Sequence, residues 1–294
     1  MFKYYLSVFT LLGITVIWGM TFPLSKLALE ALTPLYYLAI RYTLATIIMV
    51  ALFFSRFKKG LKEQIKMGIP LGITIFLAYF LQTLGVYRTT ASKTGFFTAI
   101  SVVLVPIIDF IQEKKKPDRL LSIGFVFALL GVVLLTGILG GNSNLNMGDL
   151  LVFLCAFGFA YHIILVSRLE KEADPYVIAT IQFAMVALFS FLAALFMENP
   201  PDLNLLTGKV WLNIFFLSFF ATAFAYTAQI IAQRLVSSAE AALILTFEPV
   251  FSAVFSYFLL QESQNMSTIF GGIFIVLGLI ISQFKDFKKA EQIE

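Results

Sequence analysis

The sequence predicts an all-α integral membrane protein of ten transmembrane helices, built as two inverted five-helix repeats with both termini cytoplasmic. Three observations predict it. Of 294 residues, 60% are hydrophobic and 13% charged, whereas charged residues make up about 25% of soluble chains. The mean hydropathy is +0.91. Side chains also recur at a fixed separation. Ala78, Tyr79 and Gln82 return 147 residues later as Ala225, Tyr226 and Gln229, and Gly124, Phe127, Leu130 and Gly131 return as Gly271, Phe274, Leu277 and Gly278. Lysine and arginine, finally, fall mostly in alternate connections, the bias that orients helices in a membrane.

Each span needs about 20 apolar residues, and the runs can be taken in order. Residues 5–28 are too long for a signal peptide and lack a small-residue cleavage site, so they read as a retained helix. Trp18, Gly19, Met20, Thr21, Phe22 and Pro23 interrupt its middle, where Gly and Pro permit bending or local unwinding. Residues 34–55 open on Pro34 and carry Arg41. The third and fourth runs, 66–87 and 91–112, are divided by the polar joint Thr89 to Ser92. A fifth run, 119–139, carries Gly124 and Gly131, and the Gly-Asn-Ser-rich joint Gly140 to Asn146 follows it.

The second set runs through 147–168, 174–197, 210–233, 238–260 and 267–285, with the eighth and ninth divided at Ser237 to Glu240. Pro34 and Ile40 match Pro175 and Ile181 at a slightly shorter offset. The difference falls in the loop around Asn199, Pro200, Pro201 and Asp202, as expected of a duplication with one loop insertion. Residues 1–141 are therefore read as the first repeat, 142–284 as the second, and 285–294 as a cytoplasmic basic tail. A cytoplasmic N-terminus places sixteen of the 21 Lys and Arg residues inside, including Arg56, Lys58, Lys59, Lys114, Lys115, Lys116, Arg168 and Lys171. Lys26, Arg88, Lys93 and Lys209 fall outside, and Arg41 within the membrane. An odd number of spans per repeat inverts the second copy.

Polar groups inside the membrane are costly and normally face the bundle interior or a wet cavity. Glu248 lies about ten residues into the ninth helix, about 15 Å and so near the midplane, beside Pro249. That proline frees a carbonyl near Leu245 and predicts a kink. A carboxylate at such depth is either a proton carrier or the fixed partner of an arginine or of neighbouring hydroxyls. Arg41, about 10 Å below the outer surface, is either a structural tie or a binding group for a substrate carboxylate; its repeat partner is Gln182.

Tyr79 and Gln82 share a helix face, as do Tyr226 and Gln229. The inverted symmetry predicts that the two pairs face one another. They offer hydroxyls and amides suited to an uncharged or zwitterionic amphipathic solute, or serve as interhelical glue. The repeat places His162, the chain's one histidine, opposite Thr21; it either titrates near neutral pH or is an ordinary hydrogen-bonded interior residue. Asp109 is expected to pair with Lys114, Lys115 and Lys116. Lys93 and Glu240 occupy equivalent positions with opposite charge and could gate a mouth or simply be solvated at the interface.

Other chemistry is excluded. A single cysteine, Cys155, permits no intramolecular disulfide, and one histidine offers no metal-ligand cluster. No Gly-x-x-x-x-Gly-Lys loop is present to hydrolyse ATP, so no cofactor and no catalytic residue is expected. The basic clusters lie between hydrophobic runs and read as topology signals, which argues against nucleic acid as a partner.

The Trp-Gly and Pro elements of the first helix, Arg41 in the second, the Ala-Tyr motifs, the joint from Ser237 to Ala242, and Glu248, Pro249, Val250 and Phe251 with Glu262 after them together resemble the EamA-type branch of the drug/metabolite transporter superfamily. The resemblance runs from about Leu6 to Phe284. It implies a carrier in the cytoplasmic membrane, moving small amphipathic metabolites or amino acids, as an exporter working by alternating access around a midplane cavity. Carried onto this chain, substrate-binding positions are Trp18, Phe22, Tyr79, Gln82, Phe97, Ser101, Tyr161, His162, Tyr226, Gln229 and Glu248. The expected partners are a small-molecule substrate and membrane lipid, with proton coupling through the buried acid. The first repeat departs from the second in carrying Ser101 and Val102 at the positions of Glu248 and Pro249, with its proline at Pro106. A lipid scramblase or passive channel is the alternative reading. A membrane-embedded enzyme is the more remote one, since no catalytic cluster is visible.

Overall fold

Helices alone build the described residues of this computed structural model, which are 2–58, 60–114, 119–135, 146–169, 173–263 and 266–291. Lys59, Lys115, Lys116, Lys171 and residues 140–145 of the expected joint lie outside them. The first half holds α1 (Phe2–Ala28), α2 (Pro34–Phe53), α3 (Leu61–Val86), α4 (Ala91–Ala99), α5 (Ser101–Glu113) and α6 (Arg119–Leu135). The second holds α7 (Met147–Ser167), α8 (Pro175–Met197), α9 (Gly208–Phe216), a π-helical segment (Leu217–Phe224), α10 (Ala225–Ala232), α11 (Ser238–Leu245), α12 (Glu248–Leu260) and α13 (Met266–Glu291). Among the described residues, eight helical stretches are long and apolar enough to cross a membrane, counting α4 with α5, α9 through α10, and α11 with α12 as one each. Shorter apolar helices, Arg119–Gly131 and Ile269–Gly278, lie within α6 and α13.

Polar residues at helix ends fix where each element begins. Asn146 and Asp149 form a reciprocal capping box on α7, as Ser237 and Glu240 do on α11, each satisfying amides that the first turn leaves open. Asp174 caps α8 ahead of Pro175. Two caps come from distant residues. The Glu198 carboxylate accepts the Leu35 and Tyr36 amides at the start of α2, and that of Glu262 accepts the Ala91 and Ser92 amides at the start of α4. Negative charge at a helix N-terminus is favourable there.

Two of the expected helices are broken, and at matching places. Ile100 separates α4 from α5, and Thr246 with Phe247 separates α11 from α12. At both breaks the backbone tightens in the same way: the Ile100 amide reaches the Phe97 carbonyl at 3.2 Å and Val103 reaches Ile100 at 3.0 Å, while Phe247 reaches Ile244 at 3.2 Å and Val250 reaches Phe247 at 3.1 Å. Both broken helices then end on a left-handed residue, Lys114 (φ 56°) and Gln261 (φ 54°). Pro249 accounts for the second break by withholding its N–H. The first occurs with Val102 in that place, so the bend does not depend on the proline.

Close backbone contact joins α6 to α13. A Cβ added to Gly131 would stand 2.5 Å from the Gly271 carbonyl oxygen, and one on Gly278 would stand 2.6 Å from that of Gly124. Phe127 stacks on Phe274 beside them, with centroids 5.8 Å apart. Such small-residue faces are how helices approach in lipid, where no hydrophobic force drives them together. Around the molecule's centre the packing is aromatic instead. Trp18, Tyr42, Tyr79, Phe183 and Tyr226 form a buried cluster, with Trp18 4.9 Å from Tyr226 and Tyr42 5.3 Å from Tyr79 between ring centroids.

Candidate functional site

A polar cavity of about 40 Å³ opens against this aromatic cluster, where α1, α3, α7 and α10 meet the two broken helices. The helix that follows each break begins with a polar residue that lines the cavity: Ser101 opens α5 and Glu248 opens α12. Trp18 enters from α1, positioned by its indole N–H, which donates to the Ala221 carbonyl at 2.9 Å. One residue on, Gly19 lies so close to Phe251 that an added Cβ would stand 2.4 Å from that side chain. The α1–α12 approach that seats Trp18 therefore needs glycine at this point.

Tyr79 and Gln82 arrive from α3, Tyr226 and Gln229 from α10. The two phenolic oxygens are hydrogen-bonded at 2.7 Å, as facing pairs would require. Gln82 donates to the Thr98 hydroxyl at 2.9 Å. The Gln229 side-chain oxygen is buried with no hydrogen-bond partner among the described residues. His162 lines the cavity from α7, its Nε2 3.0 Å from Oε1 of Gln182. Glu248 faces the cavity and pairs with no arginine, lysine or hydroxyl among the described residues. A carboxylate without a fixed partner is free to meet a ligand or a proton.

Three of the positions carried over from the resemblance sit elsewhere. Phe22 is buried against the α4 glycine Gly95, Phe97 packs edge-on to Phe96 at 4.7 Å, and Tyr161 is 40% exposed on the outer face of α7. In their place Thr21, Thr98 and Phe159 line the cavity. Each stands three residues from a residue already expected there (Trp18, Ser101 and His162), and helical spacing alone puts such pairs on one face.

The remaining charges hold the ends of the helices. At the end of the bundle bearing the α4 and α7 N-termini, Lys93 pairs with Asp149 at 3.1 Å, and Asp149 is 2% exposed. At the opposite end Asp109 pairs with Arg168 at 3.2 Å and accepts the Ser238 hydroxyl. Of the lysines expected to pair with Asp109, Lys114 does not do so among the described residues, and Lys115 and Lys116 lie outside them. Glu240, expected opposite Lys93 in role, caps its own helix and receives the Tyr4 hydroxyl at 3.3 Å. Arg41 is buried at 2% exposure behind Tyr79, donating to Thr222 from Nε and to Tyr37 from Nη1, both at 3.0 Å.

With water-sized space of about 10–15 Å³ per molecule, the cavity holds about three waters, well below the roughly 300 Å³ of a typical ligand pocket. The helices are thus closed around the polar groups. Larger grooves of about 580 Å³, between α12 and α13, and about 220 Å³, beside α2 and α10, are almost wholly apolar and offer no convergent chemistry.

Comparison with known proteins places this geometry in context. The model of the EamA-like transporter family matches residues 5–137 and again residues 146–284. An uncharacterised transporter of Archaeoglobus fulgidus is 34% identical over 268 residues, covering 91% of this chain and 82% of that protein. The S-adenosylmethionine/S-adenosylhomocysteine transporter of Chlamydia muridarum is 28% identical over 290 residues, with 93% and 90% covered. A solved crystal structure at 18% identity superposes with a TM-score of 0.75 over 94% of this chain and 96% of its own, a likeness of fold.

Proposed function

Because the chain belongs to the EamA-like transporter family, we propose that it is a secondary transporter that moves small amphipathic metabolites or amino acids out of the cell by alternating access around the central cavity. One observation carries the reading: the polar groups of six helical passes converge on a closed cavity in which the Glu248 carboxylate has no fixed partner among the described residues. Family membership makes the chain a multi-pass membrane protein with a small-molecule substrate. The finer architecture is our inference. It comprises ten spans in two inverted repeats, residues 1–141 and 142–284, followed by a basic tail at 285–294, in the cytoplasmic membrane with both termini inside. The matched breaks at Ile100 and Phe247 support it, as does a family model that fits two successive segments.

The proposed mechanism is a rocking of the broken helices. Their joints beside Ser101 and Glu248 are the hinges, and the α6–α13 crossing is the fixed backing. The Lys93–Asp149 and Asp109–Arg168 pairs close the two ends and release in turn. Glu248 carries the coupling proton. The Chlamydia muridarum relative, named for two adenosylated amino acids, favours a zwitterionic amphipathic substrate. Purified protein tests this by thermal shift against amino acids, nucleosides, S-adenosylmethionine and S-adenosylhomocysteine, since a ligand bound only by the folded state stabilises by mass action. Counterflow in sealed vesicles with a stabilising compound is the expected result. Flux without saturation or counterflow would replace the carrier with a channel or scramblase.

A further inference from the structure

Arg41 is the charge this reading leaves unused. Its guanidinium is buried among neutral groups: the Thr222 and Tyr37 hydroxyls at 3.0 Å, and the rings of Tyr42 and Tyr79, each with its centroid 5.5 Å from Cζ. Nη2 has no hydrogen-bond partner, and no carboxylate pairs with it among the described residues. Hydroxyls and ring faces satisfy donors, but they do not neutralise a full positive charge in a low-dielectric interior. The arginine does not line the cavity, whereas Tyr79 does. One aromatic ring therefore separates an uncompensated cation from the site.

We propose that Arg41, acting through Tyr79, makes the cavity select solutes that carry an anionic group. The group is received by the Tyr79–Tyr226 hydroxyl pair. When Tyr79 donates to Tyr226, the Tyr226 hydroxyl keeps its own proton free for the cavity; in the opposite sense the Tyr79 proton has the Tyr42 hydroxyl beside it. The field of Arg41 strengthens that donor and favours negative charge beyond it. Glu248, unpaired on the same cavity, faces the rest of the solute. Arg41 is thus a positioning and selectivity residue that never touches its ligand. The inference rests on the reading of this cavity as the substrate site.

At an effective dielectric of about 20, a charge about 8 Å away is worth roughly a ten- to thirtyfold change in affinity. The test is a thermal-shift titration of purified protein with matched sets: the common amino acids, their amides and the corresponding decarboxylated amines. In the natural protein the carboxylates are expected to bind about ten- to thirtyfold tighter than their amides. Arg41→Gln is expected to bring that ratio near one, and Arg41→Lys to restore most of it, a pattern that loss of packing alone would not produce. If Arg41→Gln does not fold, Tyr79→Phe, which keeps the ring against the guanidinium and removes the hydroxyl, is expected to lose the same discrimination. Amides or amines that match the acids in the natural protein, or a ratio untouched by these changes, overturn the inference and leave the cavity as a site. No stabilisation by any member of any set would remove the site reading itself, and the inference with it.

Discussion

The phenolic oxygens of Tyr79 and Tyr226, 147 residues apart in the chain, are hydrogen-bonded at 2.7 Å. Each ring also packs on a different neighbour, Tyr79 edge-on to Phe159 at 5.2 Å and Tyr226 against Trp18 at 4.9 Å. The bond thus ties α3 to α10 across the cavity while both rings remain anchored without it. Removing either hydroxyl, in Tyr79→Phe or Tyr226→Phe, should cost about 0.5–1.5 kcal/mol of stability and leave the fold intact. Thermal melts check both, and substrate affinity is expected to fall by more than the loss of stability if the pair belongs to the site. Equal losses in both would make the pair structural glue.

Glu248 makes no ion pair among the described residues, and its charge in the first turn of α12 is worth at most about 1 kcal/mol, so Glu248→Gln should melt close to the natural protein. If the carboxylate carries the coupling proton, the same change should abolish accumulation driven by an imposed pH gradient while exchange of labelled for unlabelled substrate persists. Aggregated or unfolded protein on purification would instead reveal a structural partner.

Gly131 and Gly278 lie against carbonyl oxygens that cannot move without displacing a helix. Gly131→Ala should destabilise by about 1–3 kcal/mol, the cost of overpacking a tight interior, and Gly131→Leu should prevent a monodisperse product. A fully stable Gly131→Leu protein would show that α6 and α13 can separate freely.

The Asp109–Arg168 pair is partly exposed, so its contribution to stability is at most about 1 kcal/mol. Its expected role is to keep one end shut. In a Cys155→Ser background, Arg168→Gln should speed maleimide labelling of a Thr98→Cys probe inside the cavity by severalfold, with little change in melting temperature. An unchanged labelling rate would dissociate this pair from closure.

Repetition along the chain made much of this arrangement legible. Tyr79 with Tyr226, and the glycines of α6 with those of α13, meet in space because the same side chains recur at one spacing. What the sequence obscured was rotation about each helix. Consecutive residues point about 100° apart, so one neighbour of a lining residue can turn with it and the other turns away: Ile163 joins His162 and Ala99 joins Thr98 at the cavity, while Tyr161 and Phe97 do not. The resemblance names both Tyr161 and His162 without saying which one turns inward, and it names Phe97 where Thr98 lines the cavity. Asp109 illustrates a second limit: nearby lysines suggested a local pairing, but Arg168 and Ser238, brought close only by folding, supply its partners. The break at Ile100 had no proline to announce it.

The glycine crossing of α6 on α13 also sets a timetable for synthesis. Gly131 and Gly278 are separated by the same 147 residues as the tyrosine pair, so at about 5–20 residues per second the ribosome delivers the second roughly 7 to 30 seconds after the first. For that interval α6 presents a strip of bare backbone with nothing yet made to cover it. A nascent chain stalled after the first half would carry an adhesive surface open to any other small-residue helix in the bilayer, and release of the final helix is the event that seals it.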